Sequence, residues 1–246
     1  MSQWHVELFN EREELLSFLA TALQEQLFTI RAGSTDCYYI NPGAEPRLAA
    51  QKTSGYYLLS SEFESLKDVQ VISDLASELL TYLNALIKLK ISAFAPPLEK
   101  GGVYRLDAEG RLIWELAFVS ATLSTLASKL QNASRQSLNF TDIWLLAQKH
   151  PKVEEALRQL ANETNWFNLY KIYEIIEIDV GKKTLDTWTH GKNEDFTYSA
   201  NNAHASQYAA RHSSAKFSPS HKRKSMAPSE GAEFITSLFL QWLQTK

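Results

Sequence analysis

The pattern of hydrophobic and polar positions changes near the middle of the chain, from mixed patterns to a continuous series of helical ones. Residues 11–26 carry apolar side chains at helical spacing and predict an amphipathic helix. Aromatic and β-branched runs at 27–31 and 37–40, separated by the turn-forming residues 32–36, predict a hairpin. A further strand is predicted at 55–59.

The next stretch combines one long helix with a second hairpin. Leucine and isoleucine recur along 73–90 on one face, which predicts a long amphipathic helix. Residues 102–106 and 111–116 alternate like strands, and 107–110 between them read Asp-Ala-Glu-Gly, a turn. Residues 117–132 fit a strand that continues into a helix, and the pattern does not separate the two.

From residue 138 onward every hydrophobic pattern is helical. The expected helices are, in order, 140–149, one opening at Pro151, 166–180, a polar-rich helix or helix pair running to Ala210, and a closing helix from Pro228. We therefore place a boundary near residue 136. The prediction is an α+β protein, with a mixed helix and hairpin region at 1–135 and an all-α bundle of four or five helices at 136–246.

Composition narrows the class of protein without naming a function. The 246 residues are 44% hydrophobic and 11% aromatic, which supports folded cores. The single cysteine, Cys37, excludes an internal disulfide framework and any site built from several thiolates. We predict no bound metal and no cofactor.

Charge and hydropathy bear on location and partners. The net charge is only −3, yet residues 181–246 carry nine basic against five acidic side chains, whereas the remainder is acidic overall. The N-terminal residues lack the pattern of a signal peptide, and no stretch approaches the roughly 20 apolar residues that span a bilayer. These features predict a cytoplasmic protein that does not contact a membrane.

Sequence motifs of common catalytic sites are missing. The chain has no glycine-rich phosphate loop, no His-Glu-x-x-His, no Gly-x-Ser-x-Gly and no Cys-x-x-Cys. Catalysis remains open, because catalytic groups assemble in space rather than in sequence.

One cluster of polar residues has the chemistry for acting on a phosphate. Three of the six histidines, His204, His212 and His221, lie close to Arg211 in sequence. Histidine moves protons near neutral pH and arginine stabilises a phosphoryl transition state, which suits metal-independent cleavage of RNA by its own 2′-hydroxyl. The same stretch supplies further side chains for binding phosphate or RNA: Asn201, Asn202, Lys216, Lys222, Arg223 and Lys224.

A structural explanation of the same residues stands beside the catalytic one. Arg211 can pair with Glu174 or Glu177 across a helical bundle, and Asn201 and Asn202 can cap helices. A basic run such as 222–224 is commonly a solvated loop.

The order of elements in the helical half resembles that of HEPN domains, small helical domains found in bacterial toxins, antiphage proteins and RNA-processing factors. The resemblance rests on the long helix 166–180, a polar helix ending at Arg211-His212, a loop and the closing helix. Ribonuclease members of that class carry an arginine, a polar residue and a histidine four to six residues after the arginine. Here the histidine after Arg211-His212 is His221, which departs from that spacing. Many members of the class are inactive interaction or dimerisation modules.

A broader set of residues resembles a group of uncharacterised bacterial proteins. It comprises Gly101 to Arg105 with Asp107 and Gly110-Arg111, then 168–171 and 209–212. This resemblance covers about half the chain and implies no activity.

Two functions from different classes follow. The first is a binding, regulatory or dimerisation module that pairs with itself through the helical half or docks a protein or RNA partner. The second is a metal-independent ribonuclease of toxin or antiphage type that uses Arg211 with His204, His212 or His221. A small-molecule enzyme centred on the first half has no residue set to support it.

Overall fold

The computed structural model describes residues 4–22, 28–39, 47–106, 112–116, 140–202 and 224–246. Its strands are β1 (Trp4–Phe9), β2 (Phe28–Tyr39), β3 (Arg47–Ser60), β4 (Glu99–Leu106) and β5 (Leu112–Leu116). Its helices are α1 (Glu13–Ala22), α2 (Val69–Lys90), α3 (Phe140–Lys149), α4 (Pro151–Ala161), α5 (Trp166–Val180), α6 (Lys182–Thr189), α7 (Lys192–Asn201) and α8 (Pro228–Leu243). The fold class is α+β with a helical C-terminal half, as the sequence predicts.

The chain divides into two compact units, each built from two stretches of sequence. The first unit comprises Met1–Thr81 and Pro96–Gln131, and the second comprises Tyr82–Ala95 and Asn132–Lys246. Helix α2 therefore contributes its first part to one unit and its last part to the other. The boundary that the sequence predicts near residue 136 lies outside the described residues.

The first unit contains a closed five-stranded sheet in the order β1-β3-β2-β5-β4, with β4 returning to pair with β1. All pairs are antiparallel except β2 with β5, where Cys37 to Tyr39 run parallel to Leu112 to Trp114. A parallel pair needs a long connection, which the intervening β3, α2 and β4 provide.

Strand alternation in β1 gives the sheet its two faces. Trp4, Val6 and Leu8 are buried on one face, and Trp4 Nε1 donates to the Leu66 carbonyl at 3.1 Å. Lys100 of β4 donates to Ser73 Oγ at 2.6 Å and Ser77 Oγ at 2.8 Å, so the strand is fixed to the first part of α2.

The second unit is built mainly from α3 to α8 around a core of large aromatic side chains. Trp166 of α5, Phe196 of α7, and Phe239 and Trp242 of α8 are each almost fully buried. Asn165 caps α5 by accepting a hydrogen bond from the Asn168 N–H at 2.9 Å, and Gly181 ends that helix with a φ of +81°.

Several predicted elements are confirmed and one is wrong. Helices α3 and α5 have the predicted limits, and the polar-rich region at 182–201 is a helix pair, α6 and α7. The predicted turn at 32–36 is wrong: β2 is continuous from Phe28 to Tyr39, because β3 pairs with it along almost its whole length. Strand β3 is correspondingly longer than the predicted 55–59. The open question about 117–132 concerns residues outside the described ranges.

Among the described helices, none has both the length and the apolar character that crossing a bilayer requires.

Candidate functional site

The structure describes three of the ten residues that the sequence singles out. Asn201, Asn202 and Lys224 are described. The others lie outside the described residues: His204, Arg211, His212, Lys216, His221, Lys222 and Arg223. The predicted catalytic cluster therefore remains a prediction, and so does its alternative pairing with Glu174 or Glu177. In the described part of the chain, Glu174 forms an ion pair with Lys171 at 3.6 Å.

The two asparagines lie at the C-terminal end of α7, as helix-end residues. Asn201 Nδ2 donates to the Thr197 carbonyl at 3.0 Å, one turn earlier. Asn202 is the C-cap residue of α7 and is buried. The chain therefore enters the 203–223 segment from a fixed helix end.

The chain re-enters the described part beside the same helix. The Met226 N–H donates to Ser199 Oγ at 2.7 Å, and Ser199 Oγ donates to the Asp195 carbonyl at 2.8 Å. This pair of hydrogen bonds joins the residues just after 223 to the last turns of α7. Both ends of the segment that carries Arg211 are therefore anchored at one place on the second unit.

A cleft of about 650 Å³ lies beside Lys224 and Met226, where the chain re-enters the described part. It is formed by the end of α6, the start of α7, the residues leading into α8, and α8 itself. Its apolar lining residues, Trp188, Met226, Phe234 and Leu238, are buried or half-buried. A cleft of this size with an apolar lining is typical of a binding site.

Charged side chains of both signs surround the apolar lining. The positive or titratable ones are His190, Lys192 and Lys224, and the carboxylates are Asp195, Glu230 and Glu233. Among the described lining residues, three carboxylates thus outnumber Lys192 and Lys224, whereas a site for a polyphosphate backbone carries an excess of cations. The cleft is suited to a ligand with both charges and an apolar part, such as a polypeptide segment.

The turn between α6 and α7 forms one wall of the cleft and has an unusual backbone. His190 has a φ of +49° and Gly191 a φ of +85°. His190 is the only non-glycine residue with positive φ among those the structure describes. This conformation costs about 1–2 kcal/mol for an L-residue, so neighbouring contacts must hold the turn in place.

A buried hydrogen-bond network provides those contacts. Thr189 Oγ1 donates to Asn193 Oδ1 at 2.9 Å, and Asn193 Nδ2 donates to Asp186 Oδ1 at 2.7 Å. Burial raises the pKa of Tyr173 on α5 to about 12, although its side-chain hydrogen bond with Asn193 opposes the shift. The network therefore ties the turn between α6 and α7 to α5 and positions this wall of the cleft.

A second polar cluster, not predicted from the sequence, lies in the closed sheet of the first unit. Glu7 of β1 is only 4% exposed, and its Oε2 accepts from Tyr104 Oη at 3.2 Å and from the Gly102 N–H at 3.4 Å. The register of β1 against β4 shifts at this point, which places an extra β4 residue opposite Glu7.

The adjacent glycines make room for this carboxylate. A Cβ on Gly101 would lie 2.8 Å from Glu7 Oε2, and a Cβ on Gly102 would lie 2.9 Å from Tyr104 Oη. A Gly-Gly pair inside a strand is the sequence signal that could have indicated a close approach here. Nothing local indicates that Glu7 supplies the approaching side chain.

Aromatic rings complete the cluster. The His5 ring lies edge-on to Tyr57, and Tyr57 lies edge-on to Tyr104, each pair with centroids 6.0 Å apart. The rings join the cluster through Tyr104, whose hydroxyl donates to Glu7 Oε2.

No group of three or more histidine, cysteine, aspartate or glutamate residues is placed to hold a metal ion within the described ranges. No family model matches the chain, and no curated protein or solved structure is significantly similar to it. The resemblance to HEPN domains therefore stays a prediction.

Proposed function

We propose that the protein is a binding and regulatory module, in which the helical unit takes a polypeptide partner at the cleft between α6, α7 and α8. The observation that carries this proposal is the combination of a half-buried apolar lining with exposed charges of both signs. Half-buried Phe234 and Trp188 offer anchors of the kind that dominate the energy of protein interfaces. The rigid α6–α7 turn lowers the entropy cost of binding, because the wall is already in place.

The proposal extends to the finer expectations from the sequence. The helical unit is HEPN-like, acts as a dimerisation or docking module, and works in the cytoplasm of a bacterium. The order of helices supports the HEPN-like fold, and the bacterial cytoplasm is what that resemblance and the hydrophobic patterning imply.

Site-specific photo-crosslinking tests the cleft directly. With a photoreactive amino acid in place of Phe234, we expect one partner polypeptide to be cross-linked at native expression. Replacement of Phe94, which is 51% exposed and lies outside the cleft, is the control, and its greater exposure should by itself favour labelling. Phe234→Ala should weaken recovery of that partner about tenfold or more, as loss of an aromatic anchor does. Equal labelling at both positions contradicts the proposal.

A ribonuclease is the second candidate function. The observation in its favour is that the segment containing Arg211 and His212 leads directly into Lys224, which lines the cleft together with Lys192. Against it stands the excess of carboxylates around the same cleft.

The ribonuclease test uses purified protein and RNA in EDTA. This second function requires cleavage by the wild type and its loss on Arg211→Ala, because the arginine would stabilise the charge that develops on the phosphate. Arg158→Ala, which removes an exposed arginine paired with Glu154 on α4, is the control and should leave cleavage unchanged. Absence of cleavage by the wild type contradicts this second function.

A further inference from the structure

Helix α5 carries an exposed stripe that the described residues of the second unit leave uncovered. Phe167 is 51% exposed and Ile178 is 72% exposed, the most exposed large hydrophobic side chain among the described residues. Lys171 and Glu174 lie between them. At 100° per residue these four positions fall within about 60° of one another, so they form one continuous face, the α5 stripe.

The α5 stripe is symmetric in a way that neither burial nor helix formation requires. The spacing from Phe167 to Lys171 is four residues, from Lys171 to Glu174 three, and from Glu174 to Ile178 four. The midpoint of the outer pair and the midpoint of the inner pair are the same point, between Ile172 and Tyr173. From that midpoint toward either end of the helix, a charged residue comes first and a hydrophobic residue second. The charged residue is Lys171 on the N-terminal side and Glu174 on the C-terminal side.

A stripe with this symmetry is complementary to itself. When two α5 helices pair antiparallel about a two-fold axis through the shared midpoint, Phe167 faces Ile178 of the second copy, and Lys171 faces its Glu174. A two-fold interface uses the same patch on both subunits, so residue i meets residue j and j meets i. In a parallel pair, by contrast, like charges would face each other.

The spacing also fits the packing geometry of paired helices. Separations of four, three and four residues are those of a coiled-coil seam, in which helices cross at about 20°. The outer residues are then about 16 Å apart along the axis, close enough for both apolar pairs to form at so small a crossing angle. Charged residues at inner seam positions select register and orientation at some cost in affinity.

Within one copy, the inner charges are already aligned along the stripe. Lys171 Nζ lies 3.6 Å from Glu174 Oε2 and 5.9 Å from the centre of the Phe167 ring. Pairing two copies places two such ion pairs side by side with opposite charges facing, and it covers the apolar residues at both ends.

We infer that the α5 stripe is the interface of a homodimer, in which two copies pair antiparallel through this helix. The inference rests on the proposed role of the helical unit as a binding module and names a second copy of the chain as one of its partners. A contact of a few residues on each side lies at the small end of specific interfaces, so the dimer should be weak, with a dissociation constant of order micromolar or above.

Sedimentation velocity of the full chain, from about 1 to about 300 µM, measures this dimer. We expect a concentration-dependent monomer–dimer equilibrium for the wild type. Ile178→Asp should raise the dissociation constant about tenfold or more, because it places carboxylates in the apolar contacts. Leu145→Asp is the matched control, since Leu145 is 48% exposed on α3 of the same unit, and it should leave the equilibrium unchanged.

Charge reversal tests the facing of Lys171 and Glu174. K171E and E174K should each weaken self-association, because each places like charges opposite one another. The double variant K171E/E174K restores opposite charges and should recover dimerisation. A mixture of the K171E chain with the E174K chain should form a heterodimer more tightly than either variant forms its homodimer.

Each failure has a defined meaning. A strictly monomeric wild type overturns the inference, as does a dimer that neither Ile178→Asp nor the single charge reversals weaken. The cleft proposal is judged separately, because cross-linking at Phe234 can be measured in the monomeric Ile178→Asp variant. Loss of cross-linking with an intact dimer would instead contradict the cleft and leave the α5 interface standing.

Discussion

Glu7 and Lys88 are buried charged residues, and they differ in the groups that bind their charge. Glu7 accepts hydrogen bonds from a tyrosine hydroxyl and a backbone N–H inside the closed sheet. Lys88, 5% exposed near the end of α2, donates from Nζ to the Asn162 carbonyl at the end of α4. Burial lowers the pKa of Lys88 to about 8, although Glu163 nearby opposes the shift.

The shifted pKa of Lys88 predicts a dependence of stability on pH. The unfolded chain keeps the ordinary lysine pKa of 10.5, so between pH 8 and 10.5 it binds more protons than the folded chain. The free energy of unfolding contributed by this group therefore rises with pH across that window, with a slope of at most about 1.4 kcal/mol per pH unit. Below pH 8 the buried charge opposes folding.

Lys88→Met removes that titration. As pH rises from 8 to 10.5, we expect the unfolding free energy of the wild type to rise relative to that of the variant. Urea unfolding at several pH values measures it. Lys183→Met, on the exposed side of α6, is the control and should change stability by less than about 0.5 kcal/mol. Parallel pH profiles for Lys88→Met and wild type would show that the lysine is not desolvated.

The close approach of α5 and α8 depends on a glycine. A Cβ on Gly231 of α8 would lie 2.6 Å from two ring carbons of Trp166, which is 1% exposed and cannot move aside. At the other end of the same helices, Asp179 of α5 accepts from Trp242 Nε1 at 2.8 Å and pairs with Lys246. Burial alone would raise the pKa of Asp179, but these partners outweigh it and the pKa is lowered.

Gly231→Ala sets two effects against each other at the level of helix packing. Alanine favours the helix by about 1 kcal/mol, whereas overpacking costs about 1–3 kcal/mol. Since the overlap is with a buried indole, we expect a net loss of up to about 2 kcal/mol in the free energy of unfolding. Trp166→Phe in the same chain should reduce that loss, which a double-mutant cycle by urea unfolding detects. A stabilised Gly231→Ala variant would contradict the observed packing.

At the scale of the whole molecule, the second unit depends on a stretch of sequence taken from the first half. The Tyr82 ring lies edge-on to Trp144 of α3 with centroids 4.7 Å apart, and the Arg158 guanidinium lies 5.7 Å from the Tyr82 ring centre. Thr164 donates to the Ala93 carbonyl. Residues 82–95 are thus an integral part of the helical unit rather than of the region that precedes it in sequence.

Separate expression of the two predicted regions tests this interleaving. We expect residues 136–246 alone to bind a dye for exposed apolar surface and to unfold with low cooperativity, because the groups that contact Tyr82 and Lys88 are uncovered. Joining 82–95 to that fragment through a flexible linker should restore a cooperative transition. The same linker carrying 82–95 in scrambled order is the control. Equal thermal unfolding of the fragment with and without 82–95 would contradict the interleaved unit.

The helical half was largely predictable, because its information is local. Apolar residues at a 3.6-residue period, a capping residue at Asn165, Gly181 past the end of α5 and Pro151 at the start of α4 each act within one or two turns. The limits of α3 and α5 follow from such signals. The candidate cleft was not predictable, because its lining comes from three helices and a turn that meet only in the fold.

The strands of the sheet, in contrast, depend more on pairing with distant strands than on local sequence signals. The polar residues 32–36 favour a turn by local rules, but pairing with β3 keeps β2 extended through them, since each strand satisfies the backbone hydrogen bonds of the other. The sequence by itself determined the α+β class, the helices of the second half and the hairpin of β4 and β5, through short-range periodicity and turn residues. Only the tertiary structure decided the closed strand order, the burial of Glu7 and the exposure of Phe167 and Ile178, because each depends on which distant segments come together.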